Sequence, residues 1–374
     1  MKVLSVFGTR PEAVKMAPIV RLLQQSPRIE SRVCVTAQHR QMLDQVLKLF
    51  QIIPDYDLDL MRDNQSLASI SASIFTHLDP VLADFQPDWV LVVGDTTTVV
   101  ITSLLSYYRR IKVGHVEAGL RTHNKWHPFP EEINRRIATV IADLHFAPTT
   151  WSQGNLLHEG TEAKTILVTG NPVIDALNFV LKQDEPQEIT TLLKQLELEA
   201  KKLILLTAHR RENFGQPLEN ICYAIKELAS REDVEIVYPM HLNPKVQEPV
   251  NRILKGIPHI TLLPPLDYLP MVHLMKHAKL ILTDSGGLQE EAPSLGVPVL
   301  VLRETTERPE GLEAGTLKLV GTETSQIVRE ATRLLDDPVA YAEMARAVNP
   351  YGDGHAAKRI IDALLHMENS LKQS

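Results

Sequence analysis

Three acidic residues stand where proton transfer would need them. Asp95 lies in Gly94-Asp95-Thr96-Thr97-Thr98, Glu117 in His115-Val116-Glu117-Ala118-Gly119-Leu120-Arg121-Thr122, and Glu131 in Pro128-Phe129-Pro130-Glu131-Glu132-Ile133-Asn134-Arg135. Each ends an apolar run or opens a helical pattern. Three carboxylates converging on one cleft would raise some of one another's pKa values by mutual repulsion, which suits an acid/base pair. Each also has a plainer reading. Asp95 is a good N-cap for the next helix. Glu117 has Arg121 as partner for a buried ion pair. One of Glu131 and Glu132 suits the positive end of a helix dipole. A metal site from Glu117, His115, His123 and His127 is not expected, because the helical H-x-x-x-H spacing is missing and the loop carries competing cations.

A second set of residues suits an anion. Gly8-Thr9-Arg10-Pro11-Glu12 follows the first apolar run, and a helix N-terminus with free N–H groups attracts negative charge. Arg10 and Lys15 would add cations there, although G-x-G-x-x-G is absent. Thr207-Ala208-His209-Arg210-Arg211-Glu212-Asn213-Phe214-Gly215 mirrors that motif in the second half of the chain. His209 is the member able to change charge near neutral pH. Ser285-Gly286-Gly287, in Asp284–Pro293, presents backbone N–H groups without side-chain obstruction, as a phosphate cradle requires. Glu291 sits one turn further on, where a carboxylate can accept both hydroxyls of a ribose. Arg308 is a further candidate cation. Asp57-Leu58-Asp59 matches a short metal pattern and is read as a solvated strand edge.

The elements that must hold these residues alternate regularly. Apolar runs at Val3–Phe7, Arg32–Thr36, Trp89–Val93, Lys112–Val116, Leu144–Ala147 and Ile166–Thr169 are separated by helical patterns. The series restarts at Leu203–Thr207 and continues through Glu235–Pro239, Ile260–Leu263, Leu280–Thr283 and Val297–Leu302. Strands apolar on both faces, each followed by a helix, indicate parallel sheets covered on both sides. The reading is therefore α/β, with two doubly wound Rossmann-like domains facing a central cleft. The joint is expected near Gly170-Asn171-Pro172, and a last helix over Ala356–Leu371. The motifs fall at the carboxyl ends of strands, where such folds bind ligands.

Composition excludes other classes. At 374 residues, 44% apolar and 23% charged, the chain is neither collagen-like nor disordered. Two cysteines, Cys34 and Cys222, make no disulfide framework, which points to a reducing cytoplasm. The net charge of −7 and the lack of a Lys/Arg run disfavour nucleic acid as a partner. No apolar stretch approaches the ~18 residues needed to span a bilayer.

Together the Gly8–Glu12, Gly94–Thr98, His115–Thr122, Pro130–Glu132, His209–Glu212 and Asp284–Glu291 motifs resemble, in the same order, the bacterial non-hydrolysing UDP-N-acetylglucosamine 2-epimerases. The resemblance implies a glycosyltransferase-B-like fold. Residues 1–170 would form an N-terminal domain with the acid/base residues, 171–354 a UDP-binding domain, and 355–374 a helix crossing back to the first. It implies conversion of UDP-N-acetylglucosamine to UDP-N-acetylmannosamine by elimination of UDP to 2-acetamidoglucal and re-addition. Asp95, Glu117 and Glu131 would handle protons, with the face each serves left open, and His209 would assist the leaving diphosphate. Arg10, Lys15, Ser285, Gly286, Gly287, Glu291 and Arg308 would hold diphosphate and ribose. Leu266 and Met271 stand in the uracil-reading loop, where some relatives have Gln and Phe. Gln38, Gln41, Arg210 and His241 match a second, activating UDP-N-acetylglucosamine site, with Glu131 serving both. Asn64 replaces an arginine of some relatives there, so activation is expected to be weaker or differently organised. The expected protein is a cytoplasmic homodimer that closes its domains on the substrate and has neither cofactor, metal, nucleic acid nor membrane partner. The same motifs would also suit a glycosyltransferase of this fold, a hydrolysing epimerase, or a non-enzymatic nucleotide-sugar sensor. A glycosyltransferase often has a membrane-facing acceptor surface, and the chain has no basic amphipathic helix for one.

Overall fold

Apolar strands of a parallel sheet must be covered on both faces, and the helices between them supply that cover. The structure, a computed structural model, describes residues 1–37, 40–60, 62, 65–198 and 200–373. The chain divides into two compact units, Met1–Phe179 with Tyr351–Ser374, and Val180–Pro350.

Among the described residues the first unit carries a seven-stranded parallel sheet. Its strands are β1 (Lys2–Phe7), β2 (Glu30–Val35), β3 (Tyr56–Asp57), β4 (Trp89–Val93), β5 (Lys112–Val116), β6 (Leu144–Ala147) and β7 (Ile166–Val168), in the order β3-β2-β1-β4-β5-β6-β7. The order reverses between β1 and β4, which pair in parallel with Val3 opposite Trp89. The loops leaving those two strands therefore diverge from a switch point, the usual ligand position in such sheets. Leu4, Val6, Val90 and Val92 pack with Ile74, Leu78 and Val99 in the core. Each such side chain contributes about 1.5–3 kcal/mol by leaving water.

The second unit repeats the plan with β8 (Lys202–Thr207), β9 (Val234–Pro239), β10 (Ile260–Leu263), β11 (Leu280–Thr283), β12 (Val299–Val301) and β13 (Leu317–Leu319). The order is β10-β9-β8-β11-β12-β13, and the switch point falls between β8 and β11. Ile204, Leu206, Leu282 and Leu300 pack with Ile221 and Ile327.

Five strand readings coincide with the structure residue for residue: Trp89–Val93, Lys112–Val116, Leu144–Ala147, Ile260–Leu263 and Leu280–Thr283. The run Val297–Leu302 forms a strand only over Val299–Val301, after Pro298, which has no N–H to give. Asp57 ends the edge strand and pairs with Arg40, as a solvated edge should. The helix Pro172–Val180 follows Gly170-Asn171, and its residues up to Phe179 group with the first unit. The returning segment joins the same unit through close backbone approach. Asn171 N–H donates to the Tyr351 carbonyl at 2.7 Å, and a Cβ on Gly170 would stand 3.2 Å from Gly352 Cα. The Asp175 carboxylate accepts from Ala356 and Ala357 N–H at 3.1 and 3.0 Å, capping the last helix, Ala356–Gln373, from a distance. Among the described residues no helix is long and apolar enough to cross a membrane.

The turn after β1 is among the tightest points of the first unit. A Cβ on Gly8 would lie 2.1 Å from Thr36 Oγ1, and Thr36 is buried and hydrogen-bonded to Thr98 at 3.0 Å. Gly8→Ala should therefore destabilise the protein by about 2 kcal/mol, as overpacking does. The Thr36→Ala partner should restore part of the loss in urea denaturation. Equal midpoints for Gly8→Ala and the parent would show that the turn has room.

Candidate functional site

In the first unit the site grows from the loops after β1, β4 and β5. Thr9 caps the helix Arg10–Gln25 and forms a capping box with Glu12. Glu12 Oε2 accepts from Gly8 and Thr9 N–H, each at 2.8 Å, and Oε1 accepts from the Thr96 hydroxyl at 2.5 Å. Burial pushes the Glu12 carboxyl above its ordinary pKa while these donors pull it back. Glu12 thus joins the loops after β1 and β4.

Asp95 follows Gly94, whose φ of +79° suits glycine. Asp95 is not the helix cap that its position suggested. The N-cap of the helix Thr97–Tyr108 is Thr96, and its hydroxyl is turned to Glu12. The Asp95 carboxylate instead pairs with Arg135 Nη2 at 2.5 Å. Glu117 sits at the end of β5 with φ +61°, a costly conformation for a side chain of this size and one that clusters at functional sites. Its partner is not Arg121. Its carboxylate pairs with Lys15 and accepts from Asn171 Nδ2 at 3.0 Å. Glu117 Oε2 would stand 3.4 Å from a Cβ on Gly94, so the Asp95 turn and Glu117 are neighbours.

The two glutamates at the start of the helix Glu131–Ile141 are divided. Glu132 is fully buried and accepts from Thr122 and His123 N–H at 3.0 and 3.1 Å, closing the β5-to-helix loop. Glu131 is half-buried. Arg121 makes the buried ion pair of this region with Glu159, at 2.8 Å. His115 is buried and its Nε2 lies 2.7 Å from the Gly94 carbonyl. Burial holds its imidazole down at about 4. His123 and His127 are exposed on the loop. Among the described residues no group of three or more His, Cys, Asp or Glu side chains is arranged to hold a metal ion. Arg10 opens its helix half-buried. Gln38 and Asn64 lie outside the described residues, as does the Gln41 side chain.

In the second unit one buried acid organises the loops after β8 and β11. Asp284 Oδ2 accepts from His209 and Arg210 N–H, each at 2.8 Å, and from Asn213 Nδ2 at 2.9 Å. The His209 ring stacks on His241, with centroids 5.4 Å apart. His241 is exposed and accepts from Asn243 N–H at 3.1 Å. Ser285 is the N-cap of the helix Gly286–Glu291 with no side-chain cap bond. Arg308 lies flat against the start of this helix, since a Cβ on Gly286 would stand 2.6 Å from its Nη1. Glu290 anchors Arg308 Nε at 2.6 Å. Glu291 is buried, accepts from the Tyr268 hydroxyl at 2.5 Å, and has Gly287 beside it. Leu266 and Met271 flank Tyr268, both half-buried.

The structure therefore groups Lys15, Glu117 and the Asp95 turn in one unit, and His209, Ser285, Gly286, Gly287, Glu291 and Arg308 around the switch point of the other. Sequence reasoning missed the anchors Glu12, Arg135, Asn171, Asp284 and Tyr268. Of these, Glu12 alone carried a readable signal, the T-x-x-E capping box.

His115 gives a pH signature. Its folded pKa is about 4, below the ordinary 6.5, so the unfolded chain takes up the proton first. Its contribution is whole above pH 6.5 and is lost as pH falls toward 4, by about 3 kcal/mol at most. His115→Gln should show a shallower loss of urea stability between pH 7 and 5 than the parent. Parallel losses would assign the acid sensitivity elsewhere.

Comparison with known proteins adds four findings. A family model described as UDP-N-acetylglucosamine 2-epimerase matches residues 21–365. A UDP-N-acetylglucosamine 2-epimerase of Escherichia coli O157:H7 is 56% identical over 378 residues, covering 99% of this chain and 100% of its own. A crystal structure of UDP-GlcNAc 2-epimerase from Neisseria meningitidis bound to UDP-GlcNAc superposes with a TM-score of 0.90 at 52% identity, covering 98% of this chain and 100% of that one. An S. aureus MnaA–UDP co-structure matches with a TM-score of 0.90 at 47% identity, over 98% of this chain and 97% of its own.

Proposed function

The chain belongs to the UDP-N-acetylglucosamine 2-epimerase family, and we propose that it reversibly inverts carbon 2 of UDP-N-acetylglucosamine to give UDP-N-acetylmannosamine. The observation that carries the reading is the cluster of individually anchored acids, Asp95 on Arg135 and Glu117 on Lys15 and Asn171.

No carbonyl acidifies the carbon 2 proton, so direct abstraction would be slow. In the proposed route a carboxylate takes that proton as the bond from carbon 1 to the diphosphate oxygen breaks. The electron pair of the C–H bond forms the double bond of 2-acetamidoglucal, and UDP leaves with the electrons of the broken bond. A second carboxyl group, in its protonated form, then gives its proton to carbon 2 from the opposite face as a UDP oxygen re-adds to carbon 1, and proton exchange with solvent returns both acids to their starting states. The oxidation state of the sugar is unchanged, so no redox cofactor is required. Asp95, Glu117 and Glu131 are the proton-handling groups of this reading. In the second unit, Ser285, Gly286, Gly287 and Arg308 would meet the diphosphate, Glu291 the ribose, and His209 the developing charge on the leaving group. Arg10 and Lys15 would add cations, and Leu266 and Met271 would flank the uracil. The same reading makes the protein a cytoplasmic homodimer activated by a second molecule of substrate. The His209–His241 stack next to Arg210 supports a second ligand position in that unit.

Two measurements test the reading. Incubation with UDP-N-acetylglucosamine in deuterated water should place deuterium at carbon 2 of the recovered sugar nucleotides; its absence would remove the elimination route. Free UDP released one-for-one with product would indicate a hydrolysing enzyme instead. Asp95→Asn should lower turnover ~10²-fold or more, the usual contribution of a proton-transfer group. A near-parental rate would make Asp95 a structural acid only.

A further inference from the structure

Glu131 and Arg135 stand one turn apart on the helix Glu131–Ile141, so their side chains rise from the same face. Arg135 is almost wholly buried, with its side chain 5% exposed against 27% for Asp95. Its Nη2 makes the 2.5 Å bond to Asp95 Oδ2. The neighbouring Asn134 donates from Nδ2 to the Asp95 carbonyl at 2.9 Å. The helix thus grips Asp95 twice, once on the side chain and once on the backbone.

The guanidinium has little else to hold. Its Nη1 is 3.6 Å from Glu132, too long for a hydrogen bond, and its Nε and Nη1 have no hydrogen-bond partner among the described residues. Glu132 is engaged by the N–H groups of Thr122 and His123 and does not replace Asp95. A buried cation that loses its partner is strongly penalised. Rotation of Asp95 away from Arg135 would break the guanidinium's one side-chain hydrogen bond among the described residues and leave only Glu132, 3.6 Å away, as counter-charge, so the carboxylate is held with Oδ2 turned inward.

We propose that Arg135 is a positioning residue of the reaction: it fixes the orientation of Asp95 and, through its own helix, the spacing between Asp95 and Glu131. The proposal rests on the reading of Asp95 as a proton-transfer group. Its test is a double-variant comparison. Arg135→Met and Arg135→Lys are assayed for epimerisation alone and on the Asp95→Asn background, with circular dichroism and thermal midpoints for each. Misplacement of a reacting group predicts that Arg135→Met lowers kcat about 10- to 100-fold while KM stays within about twofold. Arg135→Lys should recover part of the rate. On the Asp95→Asn background the Arg135→Met change should add less than about twofold, because the group it positions is already gone.

A parental kcat in Arg135→Met beside a slow Asp95→Asn would overturn the proposal and leave the reading of Asp95 intact. Equal losses on both backgrounds would also overturn it, by giving Arg135 a role independent of Asp95. A parental rate in Asp95→Asn would remove the reading and the proposal together. If Arg135→Met does not fold, Arg135→Lys on the two backgrounds decides by the same comparison.

Discussion

A carboxylate removed from water must be met by fixed donors, and at the strand ends this requirement separates the acids into two kinds. Glu12, Glu132 and Asp284 accept backbone N–H groups of loops, the first two of their own and Asp284 of the loop after β8: Gly8 and Thr9, Thr122 and His123, His209 and Arg210. These acids give the loops their shape. Asp95 and Glu117 are met by side chains instead, Arg135 for the first, Lys15 and Asn171 for the second. Their backbones are held by other bonds, so their carboxylates need not serve as staples.

Both units apply the rule at their topological switch points. In the first, Glu12 joins the loop after β1 to the loop after β4 through Thr96. In the second, Asp284 at the end of β11 holds the two N–H groups that follow β8, and Asn213 links it to the Leu302 carbonyl after β12 at 3.1 Å. Buried hydrogen bonds to a charged acceptor are among the stronger ones, about 1.5–3 kcal/mol each. The loops at the carboxyl end of each sheet are thereby cross-linked by the protein's own hydrogen bonds. Preorganisation of this kind is what the proposed elimination would need, because a donor or base displaced by an ångström loses most of its effect.

The architecture was legible because it follows from periodicity. Apolar runs with helices between them permit few alternatives to a parallel sheet, and the strands Trp89–Val93 and Leu280–Thr283 were readable to the residue. The three-residue β13 was not, since Leu317–Leu319 is too short to show a pattern. For the site, the residue types were visible and their pairings were not. Glu117 has Arg121 four positions away in sequence, yet its cation is Lys15 and Arg121 turns to Glu159. Asp95 has the composition of an N-cap, yet Thr96 holds that position. Local sequence ranks such partners by distance along the chain, whereas burial ranks them by which strand ends lie side by side. A sequence could not reveal that β1, β4 and β5 emerge together until the sheet order was known.

Glu117 shows where the two levels meet. Its left-handed backbone persists only because the residues on either side are over-determined. Val116 accepts from Gly94 N–H, and Ala118 N–H donates to Phe146, both at 3.1 Å, so the chain is pinned to β4 and β6 immediately before and after the strained residue. The strain turns the carboxylate out of the sheet toward Gly94, Lys15 and Asn171. Asn171 in turn is bound by its own N–H to the carbonyl of Tyr351, where the chain re-enters the first unit. One asparagine therefore holds both a candidate proton-handling acid and the return of the chain. A change at Asn171 would be felt in folding and in chemistry at once, and its place in the sequence, beside a proline in a connecting loop, suggests neither.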